Sequence, residues 1–147
     1  MKQKRFSLQT VLDLRVKAKE KAEDALAKAI RDRDIAAARC AEAIYRLEEL
    51  TRMITGERFA AYVREQGWNA INAQRDLLRT LEARLLQAEK KVSDHRELLI
   101  AADRDQKLVE KLKEKWSTAQ DLEFARYEEN QLEDFVTAAR FLQSATT

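Results

Sequence analysis

Few residues of this chain could act as a nucleophile or a base, and they stand far apart in the sequence. The chain contains one cysteine, Cys40, and one histidine, His95. A nucleophilic cysteine needs a base within hydrogen-bond reach, and the nearest basic residue in the sequence, Arg39, does not complete a Cys/His arrangement. We therefore interpret Cys40 as a small apolar filler and His95 as a register-setting polar residue of a helix–helix interface.

The patterns that bind cofactors and metals are also missing from the sequence. It has no glycine-rich phosphate loop, so we do not expect the chain to be an ATPase itself. It has no His/Cys cluster at metal-ligand spacing. Acidic pairs such as Asp32 and Asp34 alternate with arginines, which is typical of solvated helix faces. We predict a protein with no catalytic residues, no cofactor and no metal.

The distribution of proline and glycine indicates the fold. The 147 residues include no proline, and the two glycines, Gly56 and Gly67, lie in one short window. These two residue types are the strongest local breakers of regular structure. A composition rich in Ala, Glu, Lys, Leu and Arg is typical of coiled coils. We predict an all-α protein in which two long helices form an antiparallel coiled coil, with a break near residues 55–70 and an overhanging second helix.

Composition excludes several classes of protein. The net charge is only +2 and both signs are interspersed, whereas a nucleic-acid interface needs clustered Lys and Arg. No run of 18 apolar residues indicates a membrane span, and no apolar segment follows the basic start as in a signal peptide. A single cysteine cannot form an internal disulfide. We expect one cytoplasmic coiled-coil domain over residues 1–147.

The first helix is predicted over about residues 7–55, with Ser7 as its N-cap. Steps of four and three from Leu8 select mostly apolar residues, which is the heptad spacing of a coiled coil. The middle of this series is rich in alanine, so the helices can approach closely but bury little area. We call these interface positions the seam: Leu8, Leu12, Arg15, Lys19, Ala22, Leu26, Ala29, Arg33, Ala36, Cys40, Ala43, Leu47, Leu50 and Ile54.

The break is predicted at about residues 56–70. Phe59, Tyr62 and Val63 stand there at helical spacing, which fits either a short amphipathic turn or a continued helix. The second helix is predicted over about residues 71–142. Its seam contains Leu78, Leu81, Leu85, Ala88, Val92, His95, Leu99, Ala102, Gln106 and Val109.

Beyond Val109 the apolar spacing changes, which predicts a stutter that locally alters the supercoil. Trp116 lies where the spacing changes, and it either fills a widened seam or contacts a partner. The second helix should exceed the first by roughly 35 Å at 1.5 Å per residue, and its overhanging stripe implies a partner outside the helix pair. The two new frames are Leu112, Trp116 and Ala119, then Leu122, Ala125, Glu129, Leu132, Val136 and Ala139.

The two ends of the chain resemble a known family. Residues 5–15 (RFSLQTVLDLR) are similar to the F-x-L-x-x-V-L-x-x-R start of the FliJ family, the soluble coiled-coil proteins of the flagellar type III export apparatus. Residues 127–135 (YEENQLEDF) resemble the family's E-x-x-x-(L/M)-D-E-(F/A) end, with Glu133-Asp134 in the reverse order. The similarity extends over nearly the whole chain.

The resemblance implies a stalk like that of rotary ATPases, in which the paired chain ends insert into the hexameric export ATPase (FliI) and promote its assembly. It also implies escort of export chaperones and a monomer that associates with the cytoplasmic membrane through the export apparatus. The residues that the resemblance assigns to the ATPase end are Phe6, Leu8, Val11, Leu12, Arg15, Leu132, Asp134 and Phe135.

Near the mid-chain turn, the resemblance implies docking to the cytoplasmic domain of the export gate (FlhA). A role in the core is the simpler interpretation of Leu47, Leu50 and Leu81, which also belong to the seam. The residues that an ungapped match assigns to the gate end are Ala43, Leu47, Leu50, Ile54, Leu77, Leu81, Arg84 and Ala88.

Three alternatives stay open at this point. Virulence type III secretion has stalk proteins of the same architecture, although the start at Phe6–Arg15 favours the flagellar branch. A structural coiled coil would pair its overhang with a second copy and have no ATPase partner. A holdase chaperone would need an exposed apolar tip, which could consist of Leu132, Phe135, Val136, Phe141 and Leu142.

Overall fold

The computed structural model describes residues 4–56 and 61–146, without the side chain of Tyr62. These residues form two α-helices, α1 (Gln9–Gly56) and α2 (Ala61–Ala145), and no strand. The two long helices pack against each other, which confirms the predicted all-α coiled coil. Phe59, which the sequence places in the predicted break, lies outside the described residues.

The start of α1 is stabilised by a backbone turn. The Leu8 carbonyl accepts a hydrogen bond from the Leu12 N–H at 2.9 Å, and the Gln9 N–H donates to the Phe6 carbonyl at 3.1 Å. Ser7 lies in the turn before the helix. The predicted N-cap at Ser7 is therefore wrong, because the turn and not a side-chain oxygen satisfies the first N–H group of the helix.

The start of α2 lies earlier than predicted, since residues 61–70 form the continued helix that the sequence allowed as an alternative to a turn. This helix begins at Ala61 rather than near residue 71, so Gly67 lies inside it. A helical glycine costs about 1 kcal/mol relative to alanine, but it allows a neighbouring helix to come close. A Cβ atom at Gly67 would lie 2.6 Å from Ile54 Cδ1. Gly67 is thus a contact point between the two helices and not part of a break.

The chain divides into two compact units, each built from parts of both helices. Unit 1 comprises Met1–Val16 with Arg104–Thr147, and unit 2 comprises Lys17–Asp103. Because each unit takes one segment from α1 and one from α2, the packing of the helices is described for each unit separately.

In unit 2 the helices are antiparallel. Lys19 Nζ lies 3.0 Å from Asp103 Oδ1, and Gln74 Nε2 donates a hydrogen bond to the Ala43 carbonyl at 3.3 Å. Residue numbers on α2 therefore fall as those on α1 rise. The Lys19–Asp103 pair is about one-third exposed, so its contribution to stability is modest, below about 1 kcal/mol.

The core of unit 2 is narrow because small residues dominate it. The predicted seam positions from Ala22 to Ile54 and from Leu78 to Ala102 are all buried or half-buried, which confirms the predicted heptad positions on each helix here. Ile71, which lies upstream of the predicted series, is the one fully buried side chain among residues 4–56 and 61–146, with 0% exposure. The remaining buried side chains of this unit are Ala29, Cys40, Ala43 and Val92.

In unit 1 a small aromatic and aliphatic cluster joins the N-terminal segment to α2. Phe6, Leu12 and Val109 are its buried members. The rings of Phe6 and Trp116 lie 5.6 Å apart between centroids and are tilted by 49°, which is a favourable aromatic arrangement. Trp116 therefore fills the seam. The half-buried residues packed against the cluster are Val11, Val16 and Trp116.

The predicted stutter beyond Val109 is wrong. Lys113, Trp116 and Gln120 are half-buried and continue the same heptad frame, whereas Leu112 and Ala119 are exposed. A lysine is tolerated at a seam position because its aliphatic stem can pack while its ammonium group reaches water. The frame thus persists through polar residues.

On α1, the frame near the N-terminus also differs from the prediction. Gln9 and Val16 are half-buried, while the predicted seam residues Leu8 and Arg15 are exposed. Arg15 Nη1 instead lies 3.4 Å from Asp105 Oδ2 on α2. Val16 takes the inward position because it packs against the Phe6 cluster.

The seam ends after Gln120. Every described residue from 121 to 146 is exposed, so this part of α2 overhangs, as predicted. We call residues 121–145 the C-terminal overhang. Its helix is about 37 Å long at 1.5 Å per residue. The seam ends here because α1 begins at Gln9 and no described residue of the N-terminal segment covers this part of α2. The heptad positions that continue along the overhang are Glu123, Tyr127, Asn130, Asp134, Thr137 and Phe141.

Candidate partner-binding surfaces

The side chains considered for catalysis belong to the helix interface. Cys40 is a buried free thiol, and His95 is half-buried on the seam of α2. Among residues 4–56 and 61–146, no group of three or more His, Cys, Asp or Glu side chains is arranged to hold a metal ion. Over the same ranges, no helix is long and apolar enough to span a membrane. Surfaces that bind partners are therefore the features to consider.

The N-terminal residues assigned to the ATPase end are mostly packed inside unit 1. Phe6 and Leu12 are buried, and Val11 is half-buried against them. Their role in the structure is to hold the N-terminal segment against α2. Only Leu8, which is 37% exposed, and Arg15, which pairs with Asp105, present surface to a partner.

The C-terminal residues assigned to the ATPase end lie on the C-terminal overhang and are exposed. Leu132 is 66% exposed and Phe135 is 74% exposed, and Asp134 is exposed as well. Leu132 lies about 24 Å further along α2 than Trp116, so the structure does not bring these residues together with the Phe6 cluster. Helical spacing places five apolar residues on one face, which we call the apolar stripe: Leu132, Phe135, Val136, Ala139 and Leu142.

The residues assigned to the gate end fall into two groups in unit 2. Six of them are seam residues that are buried or half-buried: Ala43, Leu47, Leu50, Ile54, Leu81 and Ala88. The other two face outward, because Leu77 is 46% exposed and Arg84 is exposed. Leu77 and Arg84 are therefore the members of this set that a partner can reach without opening the helix pair.

A groove runs along one side of the unit 2 seam and includes both outward residues. Three adjoining cavities of about 470, 330 and 200 Å³ form it. The first two share Asp32, Arg84 and Ala88, and the last two share Arg39 and Leu81. Seam alanines form much of the floor, and their small side chains leave the groove open. We call it the basic groove, because charged residues of mainly positive sign line its walls.

Several apolar residues near the gate end are exposed and were not predicted as site residues, among them Ile44, Tyr45 and Met53. Ile44 is 42% exposed, Tyr45 is 56% exposed and Met53 is 63% exposed. The heptad frame places these positions outside the seam, and nothing in the spacing distinguishes them from other outward residues. Their apolar size was the only available signal. They enlarge the surface of unit 2 that could contact a partner.

Tyr45 has a perturbed environment. A hydrogen bond with Glu49 raises the pKa of Tyr45 above its ordinary value of 10.0, and the negative charge of Glu49 raises it further. Desolvation and the charge of Glu48 act in the same direction. The cause is that a carboxylate accepts a hydrogen bond from the neutral phenol and repels the phenolate.

We expect Glu49→Gln to lower the pKa of Tyr45 toward its ordinary value, because both leading causes are removed or weakened. Glu48→Gln should lower this pKa by less, since Glu48 acts only through its charge. A pH titration of labelled tyrosine rings by NMR would separate Tyr45 from the other two tyrosines. An unchanged pKa in Glu49→Gln would contradict the hydrogen bond.

The geometry defines the class of the protein: an all-α, two-helix coiled coil whose second helix ends in an exposed, partly apolar segment. The family model described as Flagellar FliJ protein matches residues 3–145, nearly the whole chain. The chain belongs to the FliJ family, as its two ends predicted, and this membership assigns it a role related to flagellar export. No curated protein and no solved structure matches the chain.

Proposed function

We propose that the chain is the non-enzymatic stalk of the flagellar type III export apparatus. In this role it inserts into the ring of the hexameric export ATPase (FliI) and stimulates ATP hydrolysis. It also couples the ATPase to the cytoplasmic domain of the export gate (FlhA) and escorts export chaperones. The protein acts in the cytoplasm, one copy per ring, and meets the membrane only through the apparatus.

The observation that carries the proposal is the C-terminal overhang. Leu132 and Phe135 belong to the family-like motif at residues 127–135, and both are exposed on a part of α2 that no described residue of the rest of the chain covers. Contiguous exposed apolar residues mark interaction sites in proteins that are otherwise polar outside. A single helix about 10–12 Å wide suits entry into the centre of a ring.

The paired part of the chain supports the same role. Its outward faces carry charges of both signs, including the exposed pairs Arg46–Glu42 and Arg79–Asp76. Such surfaces do not dock tightly to one subunit, because exposed ion pairs contribute little free energy. A stalk inside a symmetric ring must avoid being held by a single subunit.

The ATPase role is tested by titrating the full-length protein into a purified flagellar export ATPase and measuring ATP hydrolysis. We expect stimulation that saturates near one copy per hexamer. Absence of stimulation by a protein that is helical by circular dichroism would overturn the stalk role. Saturation near one copy per ATPase subunit would exclude a central position in the ring.

A holdase chaperone is the second candidate, because Phe141 and Leu142 are 72% and 66% exposed near the end of α2. Exposed apolar surface at a helix tip is what binds unfolded clients. Under the stalk proposal we expect no suppression of aggregation of an unrelated client at equal molar ratio. Suppression without ATPase stimulation would favour the holdase.

A further inference from the structure

The basic groove of unit 2 has an excess of positive charge. It is lined by five cations, against the two acids Asp32 and Glu42, which gives a net charge of +3. The whole chain, in contrast, has a net charge of only +2 over 147 residues. The cations that line the groove are Lys28, Arg39, Arg46, Arg84 and Lys91.

Most of these cations have no ion-pair partner among residues 4–56 and 61–146. Arg46 pairs with Glu42 at 2.9 Å. The other four form no ion pair with any residue in the part of the chain that the structure describes, and all four are exposed. The alanine-rich floor of the groove is apolar. An acidic amphipathic helix is therefore the partner whose charge and shape fit this surface.

The chain itself contains such a helix. The C-terminal overhang has six acids against the two cations Arg126 and Arg140, a net charge of −4. None of these acids forms an ion pair within the described residues. The acids are Asp121, Glu123, Glu128, Glu129, Glu133 and Asp134.

The overhang also matches the groove in length and in the position of its apolar residues. Along α1 the groove extends from Ala25 to Arg46, about 33 Å at 1.5 Å per residue. The overhang is about 37 Å long by the same measure. Its apolar stripe, for example Leu132 and Phe135, would face the alanine floor, while Glu129 at the edge of the stripe would face the cationic walls.

We infer that the free protein self-associates through these two surfaces: the C-terminal overhang of one copy docks in the basic groove of a second copy. The contact covers the apolar stripe that one copy alone leaves exposed. It is reversible and salt-sensitive, because its charge pairs are near the surface and are screened by salt. The inference does not depend on the proposed role in export.

Sedimentation velocity of the full-length chain from low to high micromolar concentration tests the contact. We expect the average mass to rise with concentration and to fall toward that of the monomer when salt is added. A groove variant, Lys28→Glu/Arg39→Glu/Lys91→Glu, should weaken association about tenfold or more, because three attractive charges become repulsive. An overhang variant, Glu128→Lys/Glu129→Lys/Glu133→Lys, should do the same.

The decisive measurement mixes these two variants. The reversed groove of one attracts the reversed overhang of the other, and their unchanged surfaces attract as well, so we expect association to return in the mixture. A matched control, Lys21→Glu/Arg31→Glu/Lys90→Glu, makes the same change in net charge at exposed positions outside the groove. It should associate more strongly than the groove variant.

Three outcomes would overturn the inference. The first is that the wild-type chain is monomeric at every concentration, in which case the groove binds a different partner. The second is that the control variant associates as weakly as the groove variant, which would show that the change in net charge causes the loss. The third is that the mixture fails to associate although both variants are helical by circular dichroism, which would exclude contact between these two surfaces.

Discussion

Replacing Ile71 by alanine will lower the free energy of unfolding by about 2–4 kcal/mol, the usual cost of removing a large aliphatic side chain from a packed site. Ile71 is 0% exposed and is larger than the buried alanines of the same unit. A two-helix core has few other side chains with which to fill the cavity. The alanine gains a little helix propensity, which offsets only a few tenths of a kcal/mol.

Urea unfolding followed by far-ultraviolet circular dichroism measures this change. Leu86→Ala is the matched control, since Leu86 lies on the same helix and in the same unit but is 68% exposed. We expect the control to differ from the wild type by less than about 0.5 kcal/mol. If the two variants unfold at the same urea concentration, the side chain of Ile71 does not stabilise the packing of α2 against α1.

The heptad frame of unit 2 was predictable because the spacing is repeated many times. Each added heptad repeats the same geometric constraint, so an isolated polar member such as Arg33 or His95 does not disturb the pattern. The prediction of the heptad positions failed where those positions are occupied by polar residues. Lys113 and Gln120 hold the frame beyond Val109, but their polarity led the prediction to the outward Leu112 and Ala119.

The glycine window shows a second limit of the sequence. Glycine was interpreted as a breaker, yet its cost inside a helix is only about 1 kcal/mol, and tertiary packing exceeds that cost easily. The approach of Ile54 to Gly67 is a contact between residues on different helices. Propensity cannot predict such a contact, because it depends on which residues of the partner helix lie opposite.

The sequence proposes candidate site residues but does not predict which of them are exposed. Motif matching identified Leu12 and Leu132 equally, yet one is buried and the other is exposed on the overhang. The basic groove was not predicted at all, since the charges of unit 2 are nearly balanced along the sequence. Its excess of positive charge appears only when the residues are sorted by the side of the seam on which they lie.

The exposed candidate residues allow the interaction with the export ATPase and the interaction with the export gate to be tested separately. We expect Leu132→Asp/Phe135→Asp to reduce stimulation of the export ATPase about tenfold or more, because each apolar side chain buried at an interface contributes about 1.5–3 kcal/mol. Binding to the cytoplasmic domain of the export gate should persist. The opposite pattern is expected for Leu77→Asp/Arg84→Glu, which should weaken gate binding and leave stimulation intact.

Exposure is what makes this comparison informative. Substitution of Leu12 or Leu81 would disturb the helix pair itself, and loss of both activities would then report unfolding. The residues chosen here lie outside the seam, so the variants should keep the wild-type helical signal. Leu98→Asp, at a 59% exposed position of unit 2 outside the groove, should change neither activity. If either double variant abolishes both activities while it stays helical, one surface serves both partners, and the division of the chain into an ATPase end and a gate end is wrong.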